Sequence, residues 1–451
     1  MRFLGGLRRG GKRRVVVVGL DGVPYSFVNR MIGESVFSHL GRLFGDGSWK
    51  RMNSVLPTVS SVAWSSFMTG KNPGKHNIYG FQDRRPRTYD TYIPLSTDMK
   101  SDTLWEVIGR TGRRVGVMNV PVTYPPREVN GFLVGCFLSP DLNKATYPRQ
   151  LARKLSELGY RIDVDPWKGR EKDKTPFLDD LNEVLSRRAA TMFYLMEHEE
   201  WDFFMTHFMG TDRINHFLWE QMELGEGPYA AAFLDYYRKI DEMIAGLVSR
   251  LDGRTTLAVL SDHGFCTLKK EVYINHWLVD GGWLVFDNQN EQSIKEIDER
   301  SRAFSLDPGR IYVNLRGREP KGSVAPGDEY ERVRAELAEG LAELTDPDSG
   351  EQMIEKVVKR EEIYFGDSFD AAPDLIAVPR RGYDLKGALN RPELTHKGEL
   401  VGMHTFEDAF LFIRGEEITR DEFSIVDVMP TVLSLLRVPI PSDVDGRSLV
   451  D

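Results

Sequence analysis

"RRVVVVGLDG", residues 13–22, decides the fold class. Its four successive valines show no alternation of apolar and polar positions, so both faces of the segment call for burial. A strand of that kind belongs inside a parallel sheet covered on both sides, and Asp21-Gly22 closes it with a turn. The signature recurs in "RVGVMNVPVTYPP" (114–126), "WDFFMTHFMG" (201–210) and "TTLAVLSDHG" (255–264). Between these runs lie stretches with the length and apolar period of amphipathic helices, "PFLDDLNEVLSRRAATMFYLMEHEE" (176–200) and "AAFLDYYRKIDEMIAGLVSRL" (231–251). Strands alternating with helices predict an α/β fold on a mostly parallel sheet. From Asn275 to Phe365 the pattern changes to short strands such as "GRIYVNLRG" (309–317), the charged helix "EYERVRAELAEGLAEL" (329–344) and turn-rich joints. The expected organisation is a core of residues 14–274 and 366–451, with an inserted cap subdomain over 275–365 that supplies the pocket walls. "PDLIAVP" (373–379) and "DAFLFIRG" (408–415) resume the core alternation on this reading.

Composition narrows the function classes. With 41% hydrophobic and 28% charged residues, the 451-residue chain has material for a sizeable core. A formal net charge of -9 argues against a nucleic-acid surface, which needs a clustered basic excess. "RRGGKRR" (8–14) is the local exception, and residues 1–13 read as a solvated basic arm. Cys136 and Cys266 stand far apart and form no metal or disulfide pattern. No run approaches the ~20 apolar residues of a membrane span, so a cytoplasmic location is the default expectation.

In an open parallel sheet, ligands gather at the carboxyl ends of the strands. There the first strand delivers Asp21. "MGTDRINHF" places Asp212 and His216, which share one face if a helix begins near Asp212. "LSDHGF" delivers Asp262 and His263 side by side, and "LVGMHTFED" sets His404 in a loop before a strand. Each alone has a plain structural reading, since an Asp after a strand caps a helix or forms a turn. Together, three acids and three histidines at strand ends suit two divalent ions, Zn first and Mn second, which accept mixed carboxylate and imidazole ligands. Two ions ~3.5–4 Å apart polarise a phosphoryl group and activate a hydroxyl as nucleophile. "VLPTVSSVAWSSFMTG" (55–70) supplies hydroxyls, and the nucleophile has to sit at the start of its helix, where free amides favour a phosphate.

Taken in order, "GLDG", "PTVSSVAWSSFMTGKNPGKHNIYGF", "GTDRINH", "SDHGF" and "GMH" resemble the alkaline phosphatase superfamily. Within it, the chain is most similar to the type I phosphodiesterase/nucleotide pyrophosphatase family. The likeness runs over most of the chain, including the ending "IVDVMPTVLSLLRVPIPSDVDGRSL" (425–449). It implies an alkaline phosphatase-like three-layer α/β/α sandwich with a smaller inserted cap. By the same resemblance the nucleophile, two positions after Pro-Thr, falls on Ser60, with Ser61 its near rival. One ion would be held by Asp212, His216 and His404, the other by Asp21, Asp262, His263 and the Ser60 oxygen. Ser61 and His396 become candidate substrate contacts, and His76 beside the nucleophile helix reads as packing. Many nucleotide pyrophosphatases carry an Asn three residues after the nucleophile, where this chain has Ala63. The Cys-x-Pro-x-Arg signature of sulfatases is absent.

The expected activity is hydrolysis of phosphodiester or pyrophosphate bonds in small, nucleotide-like substrates through a covalent intermediate on Ser60. A phosphomonoesterase or a phosphomutase is the alternative. The mutases of the superfamily need a large insertion after the nucleophile helix, and none fits between Gly70 and Val115. A nucleotide-binding module without turnover is disfavoured, because the G-x-G-x-x-G fingerprint is missing and the donor set is complete.

Overall fold

The valine run lies near the middle of an eight-stranded sheet, as strand β1 (Arg14–Leu20), sealed on both faces. The computed structural model describes residues 12–287 and 293–451, so all but the last two residues of the basic arm 1–13 lie outside the described residues. The other strands of the sheet are β2 (Gly47–Met52), β3 (Val115–Met118), β4 (Gly131–Val134), β5 (Thr146–Tyr147), β6 (Phe203–Phe208), β7 (Thr255–Leu260) and β8 (Ala409–Arg414). Their order is β2-β8-β7-β1-β6-β3-β4-β5. The block β7-β1-β6-β3-β4 is parallel throughout, while β8 and β5 run against their neighbours.

Successive side chains of β1 enter opposite layers. Val16 and Val18 join one apolar cluster, Val15 and Val17 the other, which is why no polar residue interrupts the run. The first cluster is roofed by α2 (Thr175–His198), α3 (Gly210–Leu224) and α4 (Gly227–Val248), the second by α1 (Ser60–Thr69) and α6 (Val428–Leu436). The result is the expected three-layer α/β/α sandwich. Helix α2 shows how patterning selects its face: Phe177, Leu181, Val184, Leu185 and Met192 recur at helical spacing and are buried. Helix α1 ends at Gly70, whose φ of 64° closes the helix in a left-handed turn.

The cap is a second sheet. Its four strands are Ala303–Leu306, Arg310–Val313, Leu375–Pro379 and Ile354–Lys359, in that spatial order, covered by α5 (Asp328–Ala342) through Tyr330, Val333, Leu337 and Leu341. A three-stranded sheet joins Tyr383–Lys386, Lys270–Tyr273 and Thr395–His396 beside it. The boundaries expected at 275 and 365 therefore need correction: "PDLIAVP" is a cap strand, not a core strand. An isolated apolar run of that length suits either sheet, and only its partners decide.

Buried ion pairs clamp the cap to the core. Arg310, fully buried, donates to Asp83 Oδ1 at 2.6 Å and to the Gln82 carbonyl at 2.6 Å. Arg84 pairs with Glu319 at 2.5 Å, and the Tyr364 hydroxyl donates to the Leu56 carbonyl at 2.9 Å. The segment just before α1 is thus fastened to the cap. The chain returns to the core through an antiparallel ribbon, Gly264–Thr267 against Gly402–Thr405, which sets His404 opposite Phe265.

Candidate active site

Three adjacent parallel strands deliver the acids. Asp21 follows β1, Asp212 sits in the first turn of α3 after β6, and Asp262 follows β7. The Gly264–Thr267 ribbon adds His404 beside His263, their rings stacked with centroids 3.7 Å apart. All six expected ligands and Ser60 therefore converge at the carboxyl edge of the sheet.

The donor atoms fall into two groups that share His263. One joins Asp212, His263 and His404; the other joins Asp21, Asp262 and His263, with their ligand atoms mutually within 4.8 Å. His216 adds to the first group, its Nε2 lying 3.1 Å from His404 Nε2 and 3.3 Å from Asp212 Oδ1. Ser60 adds to the second: its hydroxyl donates to Asp21 Oδ1 at 3.0 Å and lies 3.2 Å from His263 Nε2.

The ring orientations say what such a cluster accepts. Nδ1 of His216 faces the Gly402 carbonyl at 3.0 Å, Nδ1 of His404 faces the Thr58 carbonyl at 3.3 Å, and Nδ1 of His263 faces the Gly264 carbonyl at 3.0 Å. Each carbonyl holds a proton on Nδ1, which makes the inward-facing Nε2 the atom that binds a cation once it is unprotonated. The Nε2 atoms of His216 and His404 then oppose lone pair to lone pair, an arrangement that a cation between them stabilises. Asp262 Oδ2 is buried and makes no hydrogen bond, with His263 Nε2 3.3 Å away, while Oδ1 accepts from the Gly22 amide at 3.0 Å. An orphaned buried carboxylate oxygen among inward-facing imidazoles fits a divalent ion.

Electrostatics carry the same message. Burial pushes the His263 ring down, but the Asp262 and Asp21 carboxylates more than offset it and hold it up at about 9. Burial and the neighbouring charge of Asp21 drive Asp262 well above the usual carboxylate range. Burial and the charge of His263 push His404 down to about 4. The carboxylates thus draw protons onto Asp262 and His263, a demand for positive charge that a bound cation would also meet.

Four supporting residues escaped the sequence reading. Trp64 Nε1–H and His207 Nε2–H both donate to Asp21 Oδ2, each at 2.8 Å. His207 Nδ1 faces the Asn119 carbonyl at 3.1 Å, and Asn215 Nδ2 donates to the Gly22 carbonyl at 2.8 Å. The one available signal was a histidine inside an otherwise apolar strand, "DFFMTHF".

A model of the type I phosphodiesterase/nucleotide pyrophosphatase family matches residues 15–407. The chain belongs to that family. Solved structures with the same fold include phosphonoacetate hydrolase from Sinorhizobium meliloti 1021, 17% identical with 96% of this chain and 97% of that one covered, TM-score 0.66. The alkaline phosphatase PafA follows at 14% identity, 98% and 99% coverage and TM-score 0.60. Murine ectonucleotide pyrophosphatase/phosphodiesterase 5 is 13% identical with 95% and 96% coverage, TM-score 0.56. Among curated proteins, GPI ethanolamine phosphate transferase 3 of Homo sapiens is 32% identical over 88 residues, 20% of this chain and 7% of that protein. GPI ethanolamine phosphate transferase 2 of Eremothecium gossypii is 29% identical over 89 residues, 10% of that protein.

One expected contact, His396, lies apart from the site. His396 is exposed on the three-stranded sheet, with Nδ1 bound to Glu393 at 3.0 Å, and does not line the cleft. Its nearness in sequence to His404 misled, because the chain between them turns back to the core ribbon. Ser61, next to the helix start, is buried with no hydrogen-bond partner for its hydroxyl. Ala63 is fully buried in the apolar layer with Val15 and Val17, so a side chain there faces core rather than site. A cleft of about 340 Å³ opens from His216 and His404 toward the cap. Leu56 and Pro57 wall it on the core side, and Ile376, Val378 and Leu385 on the cap side, with Arg381 and Asp384 supplying charge. Most of its cap lining comes from residues 376–386, beyond the stretch expected to form it. Among the described residues, no helix is long and apolar enough to cross a membrane.

Proposed function

We propose that the protein is a two-metal phosphoesterase that opens phosphodiester or pyrophosphate bonds through a covalent intermediate on Ser60. The carrying observation is the position of the Ser60 hydroxyl, buried at the start of α1 and within hydrogen-bond reach of Asp21 and His263 from the second donor group. Asp21, Asp262, His263 and Ser60 would hold one ion; Asp212, His216 and His404 would hold the other. When bound, Zn or Mn supplies Lewis acidity that lowers the hydroxyl pKa and neutralises charge on the phosphoryl group.

The chain's own groups do the rest. Ser60 Oγ attacks phosphorus, the bond to the departing alcohol or phosphate breaks, and the serine proton leaves with that group. Water then opens the seryl ester, releases the phosphate monoester and returns a proton to Ser60. Val59 places no side-chain cap on α1, so the first amides of the helix remain available to phosphoryl oxygens. The apolar wall formed by Leu56, Pro57, Ile376 and Val378 receives the organic part of the ester. Gly70 leads directly into a short helix, Pro73–His76, with no inserted domain there, which favours water over a phosphomutase's return transfer as acceptor.

Turnover of bis-p-nitrophenyl phosphate and p-nitrophenyl phosphate, compared after chelation and reloading with Zn or Mn, tests this reading. Chelation should abolish activity, either ion should restore it, and the diester should be the better substrate. Chelator-resistant turnover would contradict the two-ion site. A clear monoester preference would convert the proposal to the phosphomonoesterase alternative.

A further inference from the structure

Asp21 commits one of its two oxygens to the scaffold. Oδ2 receives both the Trp64 indole N–H and His207 Nε2–H, while Oδ1 faces the Ser60 hydroxyl at 3.0 Å and His263 Nε2 at 3.5 Å. The donors come from different elements, Trp64 from α1 and His207 from β6, and both side chains are 0% exposed. One hydrogen bond leaves a carboxylate free to swing; two converging donors fix its plane.

We propose that Trp64 and His207 are positioning residues that lock Asp21 Oδ2 and so present Oδ1 alone beside Ser60. The proposal rests on the reading of Asp21 as a metal ligand. Outer hydrogen bonds of this kind orient ligand carboxylates, and losing one typically costs ~10–100-fold in metal affinity or activity.

Gly19 belongs to the same device. It stands opposite His207 in the β1–β6 pairing, and a Cβ placed there would lie 2.5 Å from Trp64 Cη2. The missing side chain is what lets the indole lie against β1 and reach Asp21. The Trp64 and His207 rings meet edge to face, centroids 4.7 Å apart at 76°, so Gly19, Trp64 and His207 form one contact. The glycine that ends the valine run is therefore part of the site's support.

The test uses full-length Trp64→Phe, His207→Leu, His207→Gln and Gly19→Ala, with folding checked by circular dichroism after chelation. Zn titration calorimetry, the visible spectrum of the Co(II)-loaded protein, and separate kcat and KM values are then compared. Trp64→Phe and His207→Leu should weaken one of two ion-binding steps by ~10–100-fold, change the Co(II) spectrum and lower kcat more than they raise KM. His207→Gln, which keeps an N–H donor, should recover part of the loss, and Gly19→Ala should reproduce Trp64→Phe. If the Trp64→Phe and His207→Leu proteins fold yet bind both ions with wild-type affinity and spectrum, the proposal is overturned. Should His207→Leu not fold, Trp64→Phe and Gly19→Ala decide alone. Failure of the wild type to bind any ion would instead overturn the two-ion reading, a result distinguishable from the first.

Discussion

His76 shows what a single buried residue contributes. Its Nδ1 accepts from the Ile78 amide at 3.2 Å, so the ring proton sits on Nε2 and points at Ser66 Oγ, 3.0 Å away. Burial, aided by the charge of Lys71, pushes the ring down to about 3. An unfolded histidine titrates near ~6.5. As pH falls from about 6.5 towards 3, the unfolded chain takes up the proton first, so stability falls with it, at most by about 1.4 kcal/mol per pH unit. Urea midpoints measured from pH 7 to pH 4.5 should therefore decline less steeply for His76→Met than for the wild type. Parallel declines would remove His76 as a cause. This packing role was legible from the sequence, as was the convergence of the three acids and three histidines, because such residues at strand ends are conspicuous. His207 was not. Within an apolar strand, a histidine that orients a carboxylate reads the same as one satisfied by backbone, and only the register of β1 against β6 brings it to Asp21.

Elements were read well wherever both faces of a strand are buried, since an unbroken apolar run has few other homes. β1, β6 and β7 follow that rule, and their adjacency puts Asp21, Asp212 and Asp262 together. The cap strands obey the same local rule with different partners, so the limits of the insertion were not legible from composition. What assigns Arg310–Val313 and Leu375–Pro379 to the cap is their pairing, and what fixes the cap to the core is the Arg310–Asp83 pair. Burial raises the Asp83 carboxyl and Arg310 lowers it, so the acid relies on that partner. Arg310→Met should cost ~3–5 kcal/mol, the penalty for stranding a buried charge, whereas Arg310→Met combined with Asp83→Leu should recover much of it. Chemical denaturation of the two variants measures the difference. A loss below ~1 kcal/mol for Arg310→Met, the range of exposed pairs, would show that the clamp is not what holds the cap.

At the scale of the whole molecule, two sheets divide the labour. The large parallel sheet gathers charged donors at one edge, and the cap closes an apolar wall over them, leaving the cleft between. Ser60 stands where these parts meet, at the start of a helix whose other residues are all buried. The central claim is that its oxygen attacks phosphorus. Ser60→Ala should fold and bind ions while turning over at least ~10³-fold more slowly, because the lost group is the nucleophile itself. The most direct measurement is acid quenching of the metal-loaded wild type within milliseconds of mixing with a diester labelled in the retained phosphoryl group, followed by peptide mapping. The label should reside on Ser60 and be absent from the Ser60→Ala protein. Label on Ser61, or full turnover by Ser60→Ala, would contradict the account.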